Sequence, residues 1–220
     1  MRKYFLTIVL MITLSLLFAY DEVYFVKLDG TGDFINIQNA VDAVQTSAII
    51  YVFGSGTYSG DNNKNIYWNG TNKQIYILGV NNPVIDCEDN GRAFRINYGT
   101  EDDKIKGFTI LNAKSTTSAG GAIRVKDGMI KIINNTFINC HVGDYTDDYE
   151  MNYYAWENSR GGAIFIEHEN GNMTSEISGN TFENCVAFDG GAIFVEGGYS
   201  LIINNTFTDN HACWNSIDTG

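Results

Sequence analysis

The sequence predicts an all-β fold: a right-handed parallel β-helix (solenoid) with a short N-terminal capping helix. Three observations carry this reading. Gly120-Gly121-Ala122-Ile123-Arg124-Val125 recurs as Gly161-Gly162-Ala163-Ile164-Phe165-Ile166 and Gly190-Gly191-Ala192-Ile193-Phe194-Val195. A second phrase follows each copy, ending at Phe137, Phe182 and Phe207, so the first glycine and the phenylalanine are 17, 21 and 17 residues apart. One proline among 23 glycines suits a fold of tight corners and uninterrupted ladders. Self-similarity at a period of about 25–29 residues marks a chain of stacked units, each too small to bury its own apolar face.

Residues 1–19 read as a signal peptide. Arg2 and Lys3 precede the uncharged apolar run Phe5 to Ala19, and Asp21 and Glu22 follow it. The run is shorter than the roughly 20 residues that a bilayer span needs, and no later stretch is apolar enough to cross. A secreted, extracellular or cell-surface location is therefore expected, with an uncleaved anchor as the rival. The formal charge is −12, and −14 without Arg2 and Lys3. Such an acidic body argues against nucleic acid as a partner, since binding it rewards clustered Lys and Arg.

Residues 20–60 are expected to hold an N-terminal strand, the capping helix and the first coil. Ile37, Ala40, Val41 and Val44 fall on one helical stripe, and Asp33 is expected to cap that helix. Strand-like Val23 to Lys27 and Ile49 to Phe53 flank it. The turn Asp29-Gly30-Thr31-Gly32 is not a phosphate loop, because no Gly-Lys-Ser/Thr ending follows.

Residues 61–220 are expected to be β-helix coils, with the solenoid truncated at its C-terminal end. Gly91-Arg92-Ala93-Phe94-Arg95-Ile96 aligns on the Gly-Gly-Ala-Ile copies, and Ile105 to Ile110 on the copy ending at Phe137. Alternation turns Phe94 and Ile96, Ile123 and Val125, Ile164 and Ile166, and Ile193 and Val195 inward. Ile105, Ile132, Ile177 and Ile202 form a second inward column. Phe137, Phe182 and Phe207 form an aromatic one, with Ile110 below. Asn135, Asn180 and Asn205 recur at the corner before it, where stacked amides can hydrogen-bond along the axis and tolerate a left-handed backbone.

These phrases resemble the pectin lyase-like superfamily. Asp29-Gly30-Thr31-Gly32-Asp33-Phe34, with Ile37-Gln38 and Ala40 to Val44, is similar to the cap of pectin methylesterases. Ile50-Tyr51-Val52, Gly56-Thr57-Tyr58, Val84-Ile85-Asp86 and Gly107 to Asn112 are similar to its strand and coil phrases. The Gly-Gly-Ala-Ile and Phe-x-x-Asn pair, the latter at Phe207 to Asn210, resembles repeats of polymorphic outer-membrane and adhesin-like proteins. The resemblance implies the β-helix but no reaction. The Gln-Asp-Thr-Leu phrase of pectin methylesterases and the Asn-Thr-Asp, Gly-His-Gly and Arg-Ile-Lys phrases of polygalacturonases are missing, and no pectate lyase calcium cluster is identifiable. Catalytic residues therefore stay unassigned, and fold alone does not assign chemistry.

Candidate functional residues come from the positions between the inward ones. Arg95, Arg124, Phe165 and Phe194 form one outward row on adjacent strands about 4.8 Å apart. Two arginines side by side are costly unless carboxylates bridge them. An acidic polysaccharide could supply those carboxylates, and loop acids such as Asp102, Asp103 or Asp127 are the alternative. The two phenylalanines would extend the row as an apolar platform for sugar rings or for a covering loop. The long segment between Cys140 and Gly161 adds Tyr145, Tyr149, Tyr153, Tyr154 and Trp156, which can stack on sugars. Asp144, Asp147, Asp148 and Glu150 there could bind calcium, although their spacing is not that of an EF-hand. No other cofactor is indicated. His141, His168 and His211 have no metal-ligand spacing with the cysteines. Cys140 and Cys185 occupy equivalent places in adjacent coils, close enough for a disulfide.

The functional expectation is a carbohydrate-binding or adhesin-like surface protein without catalysis in this segment. A polysaccharide lyase or carbohydrate esterase with missing catalytic coils, and a structural surface spacer, are the alternatives.

Overall fold

The computed structural model describes residues 20–116, 118–143, 159–168 and 171–213. They form a parallel β-helix of about six turns. Four parallel sheets run along it. The first, seven-stranded, begins with Glu22–Val26, Ser47–Phe53 and Gln74–Val80 and ends with Tyr199–Ile203. The second comprises Ile66–Asn69, Phe94–Asn97, Ile123–Lys126, Ile164–Glu167 and Ile193–Glu196. The third runs from Thr57–Tyr58 to Thr206–Thr208, and a short fourth from Lys114–Ser115 to His211–Ala212.

The register of the second sheet is that of the sequence repeat. Ile123 pairs with Phe94 below and Ile164 above, and Ile164 pairs with Ile193. Ile105, Ile132 and Ile177 are fully buried in one column. The Phe137 and Phe182 rings stack at 4.9 Å and 3°, and those of Phe182 and Phe207 at 5.1 Å and 10°. Parallel in-register strands make this geometry automatic, because equivalent side chains repeat at the strand spacing.

The paired glycines have separate jobs. Gly120, Gly161 and Gly190 have φ of +78°, +65° and +61°, a region that costs a side chain dearly. A Cβ on Gly121 would collide with the Gly162 carbonyl oxygen, and one on Gly162 with that of Gly191.

The asparagine corner divides in the same way. The left-handed residues are Asn134, Gly179 and Asn204, one position before the stacked amides. Asn135 donates from Nδ2 to Asn180 Oδ1 at 3.1 Å, and Asn180 to Asn205 Oδ1 at 3.0 Å. An exposed second ladder runs through Asn112, Asn139 and Asn184, all at positive φ.

The helix, α1 (Ile37–Ala43), packs Ile37, Ala40 and Val41 over the lower end of the core. Its cap is Asn36, whose side chain accepts the Asn39 N–H. The expected cap, Asp33, instead accepts the Phe25 N–H at 2.8 Å. At the upper end Ile202 and Phe207 are 43% and 50% exposed although they occupy core columns. Among the described residues no helix is long and apolar enough to cross a membrane.

Cys140 and Cys185 stack in adjacent coils as expected, but as free, buried thiols. Each Sγ turns back to the last carbonyl of the strand before it, Cys140 to Ile138 and Cys185 to Glu183, at 3.6 Å. The disulfide expected from their spacing is thus not formed in this structure.

Candidate functional site

The outward row of the second sheet reads Tyr67, Arg95, Arg124, Phe165, Phe194 from the lower coils to the upper. The structure brings the four predicted residues together in the predicted order and adds Tyr67, which the weak repeat of the lower coils concealed. The arginines lie against aromatic rings: Arg95 is 5.5 Å from the centroid of Tyr67, and Arg124 is 6.0 Å from that of Phe165. A guanidinium over a ring face gains electrostatic attraction without a counterion.

The two arginines differ in their acidic partners. Arg124 reaches Glu167 at 3.8 Å, a contact between neighbouring coils of the same sheet. Arg95 has no carboxylate partner among the described residues. Two of the loop acids named as alternative partners, Asp103 and Asp127, are engaged elsewhere. Asp103 is buried and accepts from Trp68, Ile75 and Thr100. Asp127 lies 3.7 Å from Lys126.

The apolar platform is corrected by burial and by ring orientation. Phe165 is only 3% exposed. Its ring stacks on Phe194 at 6.0 Å and 14°, so the two present faces to each other along the axis. Arg160 lies 5.2 Å from the Phe194 centroid and bridges to Glu196 at 3.2 Å. Phe165 is therefore a spacer between Arg124 and Phe194 and offers no open ring face to a sugar, while Phe194 is half-buried with Phe165 stacked on one face and Arg160 near its ring.

Beside Arg95 the wall opens into a pocket of about 420 Å³, of a size that small ligands fill. Its walls come from three stretches of chain: Asn65 and Tyr67, Asp89 to Arg92 with Arg95, and Lys114 to Thr116 with Ser118. Arg92 is 8% exposed and Ser115 5%, so they form the floor, whereas Arg95 and Tyr67 are exposed at the rim. The Arg92 guanidinium donates from Nη2 to Ser115 Oγ, to Ser118 Oγ at 2.9 Å and to the Ser118 carbonyl at 3.3 Å. None of these partners carries charge. Burial, with Arg124 and Arg95 nearby, pulls the Arg92 pKa down to about 10. A buried cation held only by neutral groups is expensive, and such expense is usual where a ligand completes the site.

Arg92 carried a signal in the repeat. It stands where later coils have Gly121, Gly162 and Gly191, positions at which a Cβ would strike the backbone carbonyl of Gly162, Gly191 and His211 respectively. The break in the repeat at its second glycine marks the coil whose wall admits a side chain.

Tyr145, Tyr149, Tyr153, Tyr154 and Trp156, together with Asp144, Asp147, Asp148 and Glu150, lie outside the described residues. Among the described residues no group of three or more His, Cys, Asp or Glu is placed to hold a metal ion. His168 is buried beneath Gly198, far in the sequence from the pocket residues. Compared with models of protein families, with curated proteins and with solved structures, the chain matches none.

Proposed function

We propose that this chain is a secreted or cell-surface β-helix protein of pectin lyase-like type that binds acidic glycans along the outward row, without catalysis in this segment. The observation that carries the reading is Arg95: a guanidinium with no carboxylate partner among the described residues, in register with Arg124, on a chain of net charge −12. Guanidinium pairs bidentately with carboxylate, so a polyuronate laid across the strands would relieve the repulsion between neighbouring arginines. The reading is tested by calorimetry with polyuronate and its methyl-esterified form. Binding should favour the free acid, weaken as salt is raised, and lose the preference in Arg95→Ala/Arg124→Ala. No polyuronate binding, or equal binding by the double variant, overturns it.

A further inference from the structure

The pocket floor supports a narrower statement than the row. A polymer crossing the strands would meet the exposed Arg95, but Arg92 is 8% exposed at the bottom of a recess of about 420 Å³. A mid-chain sugar, tethered on both sides, is poorly suited to such a recess. A terminal sugar or a single-residue branch can enter with one group leading.

From this geometry we infer that the pocket is a binding site for one carboxylate-bearing monosaccharide unit, at a chain end or on a branch, whose carboxylate pairs with Arg92. The inference deepens the acidic-glycan reading by naming the unit that is recognised. Four features of the pocket support it. The floor is cationic and buried, and Arg92 has no carboxylate partner among the described residues, so an entering carboxylate supplies the missing charge where water is scarce. The walls carry the amides of Asn65 and Asn90 and the hydroxyl of Thr116, groups that both donate and accept as sugar hydroxyls do. Asp89 at the rim disfavours a ligand with a second negative charge near the mouth. Ser115 and Ser118 occupy Nη2, which fixes the guanidinium plane before any ligand arrives. Such preorganisation lowers the ordering cost of binding.

The test uses the full chain, with titration calorimetry against four probes: free hexuronate, free sialic acid, the neutral hexose matching the hexuronate, and inorganic phosphate. Arg92→Lys and Arg92→Met are compared with the parent, and circular dichroism checks that each variant keeps the parent β spectrum. The expected result is binding of an acidic monosaccharide at least tenfold tighter than of the neutral hexose. That ratio should collapse in Arg92→Met and fall in Arg92→Lys, which keeps the charge but loses the fork. If Arg92→Met does not fold, the Arg92→Lys ratio decides. Phosphate binding as tight as that of the acidic sugars would reduce the site to a general anion pocket and overturn the sugar assignment. Polyuronate binding with no monosaccharide binding, or a ratio unchanged in both Arg92 variants, would overturn the inference while leaving the row reading intact. If none of the acidic ligands, polymer included, binds, both readings fall.

Discussion

Asp103 Oδ1 accepts the indole N–H of Trp68 at 3.0 Å across 35 residues of sequence. The same oxygen accepts the Ile75 N–H at 2.8 Å, and Oδ2 accepts the Thr100 N–H at 2.7 Å and its hydroxyl at 3.2 Å. One buried carboxylate thus ties three successive segments of the lower coils together. Burial pushes its carboxyl above the ordinary aspartate range, and the donors from Thr100, Ile75 and Trp68 pull against that shift.

The first prediction concerns this junction. Asp103→Ala strands the buried N–H donors of Trp68 and Ile75 and the partly buried one of Thr100, at about 1–3 kcal/mol for each buried donor, so a loss of at least about 2 kcal/mol is expected. Trp68→Leu keeps Asp103 satisfied by its other donors and loses mainly ring volume. Urea titration of both variants checks the comparison. A loss below about 1 kcal/mol in Asp103→Ala would mean that the carboxylate is not holding the coils.

The aromatic column allows an internal comparison. Phe182 is sandwiched between Phe137 and Phe207 and fully buried, so Phe182→Ala should destabilise by about 3–5 kcal/mol. Phe207 is 50% exposed, and Phe207→Ala should cost about half as much. Equal midpoint shifts in denaturant would mean that Phe207 is covered in solution.

The two asparagine ladders should respond differently. Asn180 receives the Asn135 N–H at 2.9 Å and donates to the Ile132 carbonyl at 2.9 Å and to Asn205. Asn180→Ala therefore leaves a buried donor and a buried acceptor unpaired, for a loss of about 2–4 kcal/mol. Asn184 donates to Asn139 at 2.8 Å among exposed groups, where water replaces the lost bond. Asn184→Asp keeps a residue that tolerates positive φ and should change stability by less than about 1 kcal/mol. Thermal unfolding of the two variants makes the comparison, and a larger loss in Asn184→Asp would invert the assignment.

Much of this was legible in the sequence, for identifiable reasons. In-register stacking turns sequence repetition directly into spatial columns, so Phe137, Phe182 and Phe207, and the row from Arg95 to Phe194, could be placed from alignment alone. What escaped were the residues where the repeat breaks or is weak. Arg92 replaces a glycine, Tyr67 lies in a coil with little identity to the others, and Asp103 reads as one of several loop acids until the fold closes around it. The exposure of Phe165 was also illegible, because alternation gives the direction of a side chain but not what lies over it. The helix start was missed for a local reason. Asp33 and Asn36 are both good caps, and the pairing of Asp33 with Phe25 depends on a strand contact that no helix rule contains.

His168 gives a pH prediction with a defined sign. It is 6% exposed, and burial lowers its pKa below 6.5, with the Gly128 and Tyr199 backbones opposing the shift. The unfolded chain therefore takes up this proton first, and the stability tied to neutral His168 is lost as pH falls below about 6.5. Comparing denaturation midpoints at pH 8 and pH 5 should show a smaller decline in His168→Gln than in the parent. Parallel declines would assign the acid sensitivity to other groups.

Glu167 provides a gain-of-binding prediction for the outward row. It lies 3.8 Å from Arg124 and competes with any glycan carboxylate for that guanidinium, whereas Arg95 has no such competitor among the described residues. Arg95→Ala should therefore weaken polyuronate binding more than Arg124→Ala does. Glu167→Gln should strengthen it, because the substitution removes the competing charge while keeping the side-chain shape. A partly exposed ion pair is worth up to about 1 kcal/mol, so the gain should lie at roughly two- to fivefold. The gain should vanish when Arg124→Ala is combined with Glu167→Gln, since no guanidinium is then left to release, and it should shrink as salt is raised. Weaker binding by Glu167→Gln would mean that the carboxylate holds Arg124 in its binding position, and the order of the two arginine variants would then reverse.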